Sequence, residues 1–213
     1  TLASTRRREA ITTLPRLCGL PKAQPFNTYK RPLLGSAMSR QLLQRMDGTY
    51  FIAPCAEARS AFDAAGERFG MKSLGDIAEV FIPTIFKRLY ASDPEQGYPY
   101  ITGADVFCIQ PASDQYLMRK VAHENRLLLE YGMIVIQEAG QRYGLIGNSV
   151  MVGRTLSGFA CTNNMVRLVP NDPDETGYIY TVLCSEYGIR LLKREAAGSS
   201  IPHLDASRVA SIE

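Results

Sequence analysis

The chain has 213 residues, of which 46% are apolar and 21% charged, and its net charge is +3. This length allows one domain with a hydrophobic core plus an appended segment, and the composition is that of an ordinary globular protein. No apolar run reaches the roughly 18 residues that a membrane-spanning helix needs, so no membrane partner is expected.

Charge is unevenly distributed along the chain. Residues 1–50 carry nine basic and two acidic side chains, a net charge of +7, whereas the remainder carries 15 basic and 19 acidic, a net charge of −4. We interpret residues 1–45 as a basic, proline-rich N-terminal segment ahead of a domain at 46–213. Such a segment, with Arg6, Arg7 and Arg8, either tracks phosphates or is simply a solvated leader.

The cysteines indicate a reducing compartment. Their number is odd, their spacing wide, and no C-x-x-C occurs, so we expect a cytoplasmic protein with reduced thiols, most of them packed as small hydrophobic residues. They are Cys18, Cys55, Cys108, Cys161 and Cys184. With two histidines and no cysteine cluster, no zinc site is expected.

Apolar periodicity predicts helices near both ends of the chain. A helix is predicted over 37–46, and a second over 55–70 that ends at Gly70. A long helix over 178–197 and a short one over 205–212 follow near the end. The second helix should bury Ala58, Ala61, Phe62, Ala65 and Phe69, and the long one Ile179, Val182, Leu183, Tyr187 and Leu191.

Strands are predicted in the middle of the chain. A short strand precedes a turn at Pro83, two strands cover 133–137 and 144–152, and another covers 159–170. Asp172, Asp174 and Glu175 lie in a proline turn, where they more simply end a strand and begin a helix. The fold class is therefore α+β, strand-rich with flanking helices.

The loop after residue 137 contains Gly140, Gly144 and Gly147. This spacing matches neither the dinucleotide-binding nor the P-loop pattern, and a strand rather than a helix follows. We therefore predict a hairpin-like turn that exposes its polar side chains. No other segment has a nucleotide-binding signature, so no cofactor is expected.

Four loops between the predicted elements are rich in basic, amide, hydroxyl and tyrosine groups. Such groups suit phosphate positioning and the reading of base edges, although the same mixture also occurs on ordinary surface turns. The candidate DNA-binding residues are Lys87, Arg88 and Tyr90, then Gln137, Glu138, Gln141 and Arg142, then Asn163 and Asn164, and finally Ser199, Ser200 and His203. Thr162 and Arg167 flank the third group.

Catalytic signatures are absent from the sequence. Neither H-E-x-x-H, G-x-S-x-G nor an Asn-Pro-Pro-aromatic methyltransferase motif occurs. His123, in VAHENRLL, is predicted to be a surface residue on a helix. We therefore expect no catalytic residue and no metal site.

Several motifs in order resemble one protein family. RMDGTYFIAP, GYPYITGADV, GMIVIQEAGQRYGLIG and the run from TNNMVRLVP to ASRVASI are similar to the target recognition domain of type I restriction-modification specificity subunits. The resemblance covers about residues 45–213. In that family a long spacer helix, and often a second recognition domain, follows; we expect these further along the natural chain or on another chain.

The resemblance implies a function without catalysis. The chain would read one half of a split target on double-stranded DNA and dock on modification (methyltransferase) subunits, with a restriction subunit as a further partner. Methyl transfer and cleavage would belong to those partners. Two alternatives stay open: the recognition region of a fused methyltransferase-nuclease, and a protein-interaction scaffold that docks through the helix near 177–195.

Overall fold

The computed structural model describes residues 53–141, 143–198 and 200–213, all within one compact unit. The N-terminal basic segment, the helix predicted over 37–46, Arg142 and Ser199 lie outside the described residues. The strands are β1 (Ala78–Phe81), β2 (Gly97–Ile101), β3 (Tyr116–Met118), β4 (Ile134–Gln137), β5 (Ser149–Met151), β6 (Ala160–Cys161) and β7 (Met165–Pro170). The α-helices are α1 (Ala53–Phe69), α2 (Leu74–Ile77), α3 (Arg119–Glu124), α4 (Thr176–Cys184), α5 (Glu186–Glu195) and α6 (Ala206–Ala210).

The larger sheet is antiparallel and has the strand order β1–β7–β4–β5. Val135 of β4 lies opposite Arg167 on one side and Val150 on the other. Ile134, Val135 and Ile136 are all fully buried, because apolar side chains on both faces of a central strand can be covered at once. The strand predicted over 133–137 is confirmed; the one predicted over 144–152 is shorter, since a turn occupies residues 144–147.

A smaller sheet has the order β3–β2–β6, with β2 antiparallel to β3 and parallel to β6. The single strand predicted over 159–170 is therefore wrong. Residues 160–161 belong to the smaller sheet and 165–170 to the larger one, and the turn 162–164 crosses between them. The observed helices and two sheets confirm the predicted α+β class.

The two faces of the larger sheet have different cores. On one face Ile136 and Leu168 pack with Ile179 of α4 and Leu192 of α5. On the other face, side chains such as Val135 and Met165 pack with Ile101 from the smaller sheet. The order of layers is thus helices, larger sheet, smaller sheet. A third cluster lies around Tyr100, Leu117 and Val121 on β2, β3 and α3.

The helix predicted over 55–70 is observed as α1, and it ends where predicted. Gly70 has φ +77, a left-handed conformation that glycine adopts without strain and that ends many helices. The predicted buried face is correct for Ala58 but wrong for Ala61, Ala65 and Phe69, which are exposed.

The long helix predicted over 178–197 is instead two helices, α4 and α5. Ser185 interrupts it by capping α5: its hydroxyl oxygen accepts a hydrogen bond from the Gly188 amide at 3.0 Å. A Cβ on Gly188 would lie 2.1 Å from the Val182 carbonyl oxygen, so this tight junction needs glycine. Leu183 and Leu191 are buried as predicted, whereas Tyr187 is exposed, so its predicted burial is wrong.

The strand predicted before Pro83 and the proline turn can also be compared with the structure. The segment predicted as a strand before Pro83 begins as the short helix α2, because the Asp76 carboxylate accepts hydrogen bonds from the amide and hydroxyl of Ser73. The proline turn acts as expected: the Asp172 carboxylate accepts a hydrogen bond from the Asp174 amide at 3.0 Å. This turn leads from β7 into α4.

The thiols are less buried than the sequence suggested. Cys161 is buried, but Cys108 and Cys184 are exposed, so the expectation that most thiols pack inside is wrong for these two. None of the helices in the described part of the chain is long and apolar enough to cross a membrane. Within the same residues, no group of three or more His, Cys, Asp or Glu side chains could hold a metal ion.

Candidate nucleic-acid interface

Three of the four polar loops meet at one end of β4. The Glu138 amide donates a hydrogen bond to the Asn164 carbonyl oxygen at 3.4 Å, and the Gly140 amide donates one to the Pro202 carbonyl oxygen at 3.2 Å. The Leu204 amide donates to the Glu138 carbonyl oxygen at 2.8 Å. We call residues 137–141, 163–164 and 200–203 the loop cluster.

The last of these loops is itself a paired structure. His203 and Ala197 exchange two backbone hydrogen bonds of 2.8 Å each, and His203 also forms a bridge with Ala139. The segment around His203 therefore lies between residues 138–140 and Ala197, like a short added strand. This pairing fixes the backbone of the loop cluster without using the side chains that face solvent.

Exposed polar side chains from all three loops remain available for binding. They are Gln141, Asn164, Ser200 and His203. Between two of them lies a long hydrogen bond, from the Gln141 amide group to the Ser200 carbonyl oxygen at 3.5 Å. Amide, hydroxyl and imidazole groups can both donate and accept hydrogen bonds, so this surface has the chemistry needed to distinguish base edges.

The predicted exposure of Gln137 and Glu138 is wrong. The Gln137 amide group donates to the Ala139 carbonyl oxygen at 2.9 Å, and its Oε1 is buried where Gly103 leaves room for it. The side chain of Glu138 is 14% exposed and lies 3.0 Å from Nδ1 of His203. These two residues hold the loop, while His203 covers the carboxylate.

Arg167 does not belong to the polar surface. It is fully buried in β7, and its Nη2 donates to the carbonyl oxygens of Cys161 and Thr162 at 3.3 and 3.1 Å. Thr162 is buried as well. Arg167 therefore supports, from beneath, the turn that presents Asn163 and Asn164.

The glycines of the loop serve packing against the protein itself. Gly147 has φ +76, and a Cβ there would lie 3.1 Å from the Leu192 Cβ on α5. Gly140 has φ +147 and directs its amide to the neighbouring segment. The glycine-rich turn thus brings bare backbone against α5 and the loop around residue 202, which does not require a bound phosphate.

Two residues near the loop cluster were missed by sequence reasoning. Lys193 of α5 donates from Nζ to the Gly144 carbonyl oxygen at 3.4 Å, and burial lowers its pKa. Tyr143 is 88% exposed in the loop tip. The position of Tyr143 inside a glycine-rich turn could have indicated an exposed aromatic side chain. Nothing in the local sequence indicates that Lys193 reaches Gly144, 49 residues earlier.

The loop that contains Lys87, Arg88 and Tyr90 is not joined to the loop cluster by the backbone hydrogen bonds described above. Lys87, Arg88 and Tyr90 are exposed, as their assignment to a loop requires, but Tyr90 pairs with Leu117 of β3. Arg88 lies over the ring of Tyr100 on β2. This segment therefore extends the edge of the smaller sheet.

His123 is an exposed residue on α3, as predicted. Its Nε2 lies 3.0 Å from the Tyr98 hydroxyl oxygen, and the two rings meet edge to face at 5.4 Å. A half-open cavity of about 190 Å³ lies beside it, lined in part by Glu79, Phe81 and Arg126. Arg126 closes one side of this cavity through an ion pair of 2.8 Å with Glu79.

Comparisons with known proteins give matches at the level of structure. No family model matches the chain, and no curated protein is similar in sequence. The S subunit of a type I restriction-modification system from M. genitalium is 15% identical over 66% of this chain and 32% of its own, with a TM-score of 0.43. The HsdS subunit from Thermoanaerobacter tengcongensis is 14% identical over 73% and 42%, with a TM-score of 0.41.

A third solved structure, also from a type I restriction-modification system, is 15% identical over 74% of this chain and 40% of its own, with a TM-score of 0.47. The chain thus spans between about a third and two fifths of the length of these structures. All three come from the class of system that the sequence motifs resemble.

Proposed function

We propose that this chain is a DNA target recognition domain of a restriction-modification specificity subunit. It binds double-stranded DNA and prefers one short sequence. The domain supplies binding and no catalysis of its own.

The loop cluster is the observation that supports this proposal. Three loops, distant in sequence, are joined by backbone hydrogen bonds and present Gln141, Asn164, Ser200 and His203 to solvent. Binding sites of this kind need variable side chains on a rigid support. Here the support is the end of the larger sheet, so a side chain in the cluster can change without loss of the core.

The finer features of the proposal come from the ordered motifs. By resemblance, the domain reads one half of a split target and docks on methyltransferase subunits in the cytoplasm, with a restriction subunit as a further partner. Those subunits perform methyl transfer and cleavage.

A selection experiment tests the proposal. The full chain is incubated with duplexes of randomised sequence at moderate salt, alone and with its methyltransferase subunits, and the bound duplexes are sequenced. We expect enrichment of one short motif. Duplex binding without enrichment of any motif would show that the chain binds DNA nonspecifically. A chain that binds the subunits but no duplex would instead be a protein-interaction scaffold.

A further inference from the structure

The outer face of the smaller sheet presents two arginines on two tyrosines. Tyr98 and Tyr100 are alternate residues of β2, so their side chains lie on the same face. The guanidinium carbon of Arg119 lies 5.4 Å from the ring centroid of Tyr98, and that of Arg88 lies 5.7 Å from the ring centroid of Tyr100. Cation–π attraction holds a cation at such distances.

Both arginines are exposed. Neither forms an ion pair with any residue in the described part of the chain, in contrast to two basic neighbours. Lys120, next to Arg119, lies 3.8 Å from Glu124, and Arg126 pairs with Glu79. The positive charge of Arg88 and Arg119 is thus available to an anion outside the chain.

The support beneath Arg88 is rigid. Tyr100 is only 4% exposed, and Phe86 and Tyr90 meet its ring edge to face at 6.4 and 6.0 Å. The backbone is fixed to β3 as well, because the Met118 amide donates to the Leu89 carbonyl oxygen at 2.9 Å. Arg88 therefore lies over a ring whose own position is fixed.

Arg119 lies over a ring that is held by one neighbouring residue. It is the first residue of α3 and follows β3 directly. Its partner ring, Tyr98, is held by the edge-to-face contact and the hydroxyl contact with His123. Each guanidinium carbon lies over a ring, and neither group has a hydrogen-bond acceptor among the described residues, so its N–H groups can donate to a ligand.

We propose that Arg88 and Arg119 bind the phosphate backbone of one DNA strand and position the duplex for the loop cluster without reading bases. This inference rests on the proposed function. Tyr98 and Tyr100, whose rings carry the two guanidinium groups, are alternate residues of one strand and so lie about 6.6 Å apart along it, which lets both charges act on the same stretch of one DNA strand. A planar guanidinium with free edges matches the oxygens of a phosphate.

The salt dependence of duplex binding tests the proposal. Affinities of the full chain for a selected duplex and for a random duplex are measured by fluorescence anisotropy at several salt concentrations. The variants are Arg88→Gln, Arg119→Gln and the double variant, with Lys120→Gln as the matched control one residue away. Thermal melts check that each variant is folded.

Each arginine substitution should weaken binding about three- to tenfold, equally on both duplexes. The slope of log affinity against log salt should become less steep by about 0.9 for each lost phosphate contact. Lys120→Gln, which removes the same charge, should change neither quantity appreciably. Arg119→Lys should restore part of the affinity, since the charge is kept while the fork geometry is lost.

Three results would overturn the inference. An unchanged salt slope in the folded double variant, with sequence-specific binding intact, would refute the phosphate contacts and leave the proposed function standing. A loss confined to the selected duplex would show that these arginines read bases. Failure of the unmodified chain to bind any duplex, alone or with methyltransferase subunits, would refute the proposed function and this inference together.

Discussion

The substitution Gly147→Ala tests whether the glycine-rich loop is shaped by packing against α5. At φ +76, a residue with a Cβ costs about 1–2 kcal/mol relative to glycine. The new Cβ would also lie 3.1 Å from the Leu192 Cβ, closer than the 3.5–4.0 Å at which carbon atoms attract. Overpacking of this kind costs about 1–3 kcal/mol. The total loss of unfolding free energy should be about 2–5 kcal/mol.

Gly158 offers a matched control for this substitution. Its φ is +90, but a Cβ there would meet no atom within 4 Å. Gly158→Ala should therefore lose the backbone contribution alone, about 1–2 kcal/mol. The difference between the two variants isolates the contact of the loop with α5.

Urea unfolding of the full chain, followed by circular dichroism, measures both losses. We expect Gly147→Ala to be the less stable variant by about 1–3 kcal/mol, and to bind a selected duplex less specifically because the loop shifts on α5. Equal losses in the two variants would refute the packing role. A Gly147→Ala variant of normal stability that loses all DNA affinity would indicate instead that the glycine directly faces a ligand.

Three further predictions concern stability and reactivity. Arg126 has φ 53, so Arg126→Gly should be more stable than Arg126→Ala by about 1 kcal/mol in urea unfolding, since both lose the ion pair with Glu79 but only alanine keeps the strain; equal stabilities would contradict this. Asp205→Ala should cost about 1 kcal/mol, since the carboxylate caps α6. Hydrogen bonds from the Ser207 hydroxyl and amide lower the pKa of Asp205. The stability that Asp205 contributes is therefore present above the unfolded pKa of about 3.9 and is lost as pH falls through the lower folded value. A stability difference between wild type and Asp205→Ala that persists well below that range would show that the ionised carboxylate is not its source. Peptide mapping after brief alkylation of the native protein should find Cys108 modified and Cys161 intact, because Cys161 is buried and burial raises its pKa; equal labelling would show that the core opens.

The features that could be predicted from the sequence are those that local chemistry determines. The end of α1 at Gly70 follows from the backbone freedom of glycine, and the proline turn begins with an aspartate cap. The central strand β4 was visible as an apolar run. In each case the decisive interaction lies within a few residues of the signal.

The parts that could not be predicted depend on distant residues. Arg167 was grouped with the polar loop because its local sequence gives no sign of burial. It is buried because its guanidinium donates to the carbonyl oxygens of Cys161 and Thr162, which become available where the chain crosses between the two sheets. Gln137 was predicted to be exposed because the local sequence does not show that Gly103, distant in sequence, leaves space for its side chain. His203 pairs with the loop near residue 139, more than 60 positions earlier, so the existence of the loop cluster required the fold.

The most direct test of the central claim is the ratio of affinities for a selected duplex and its scrambled counterpart. It is measured by competition at physiological salt for the unmodified chain, Gln141→Ala, Asn164→Ala and the control Gln110→Ala, whose exposed amide lies outside the loop cluster. If Gln141 or Asn164 contacts a base, we predict that its replacement by alanine lowers the affinity ratio roughly 5- to 150-fold, equivalent to about 1–3 kcal/mol of discrimination. Gln110→Ala should leave the ratio unchanged. Ratios that stay the same in both loop-cluster variants would contradict the claim that this surface reads DNA.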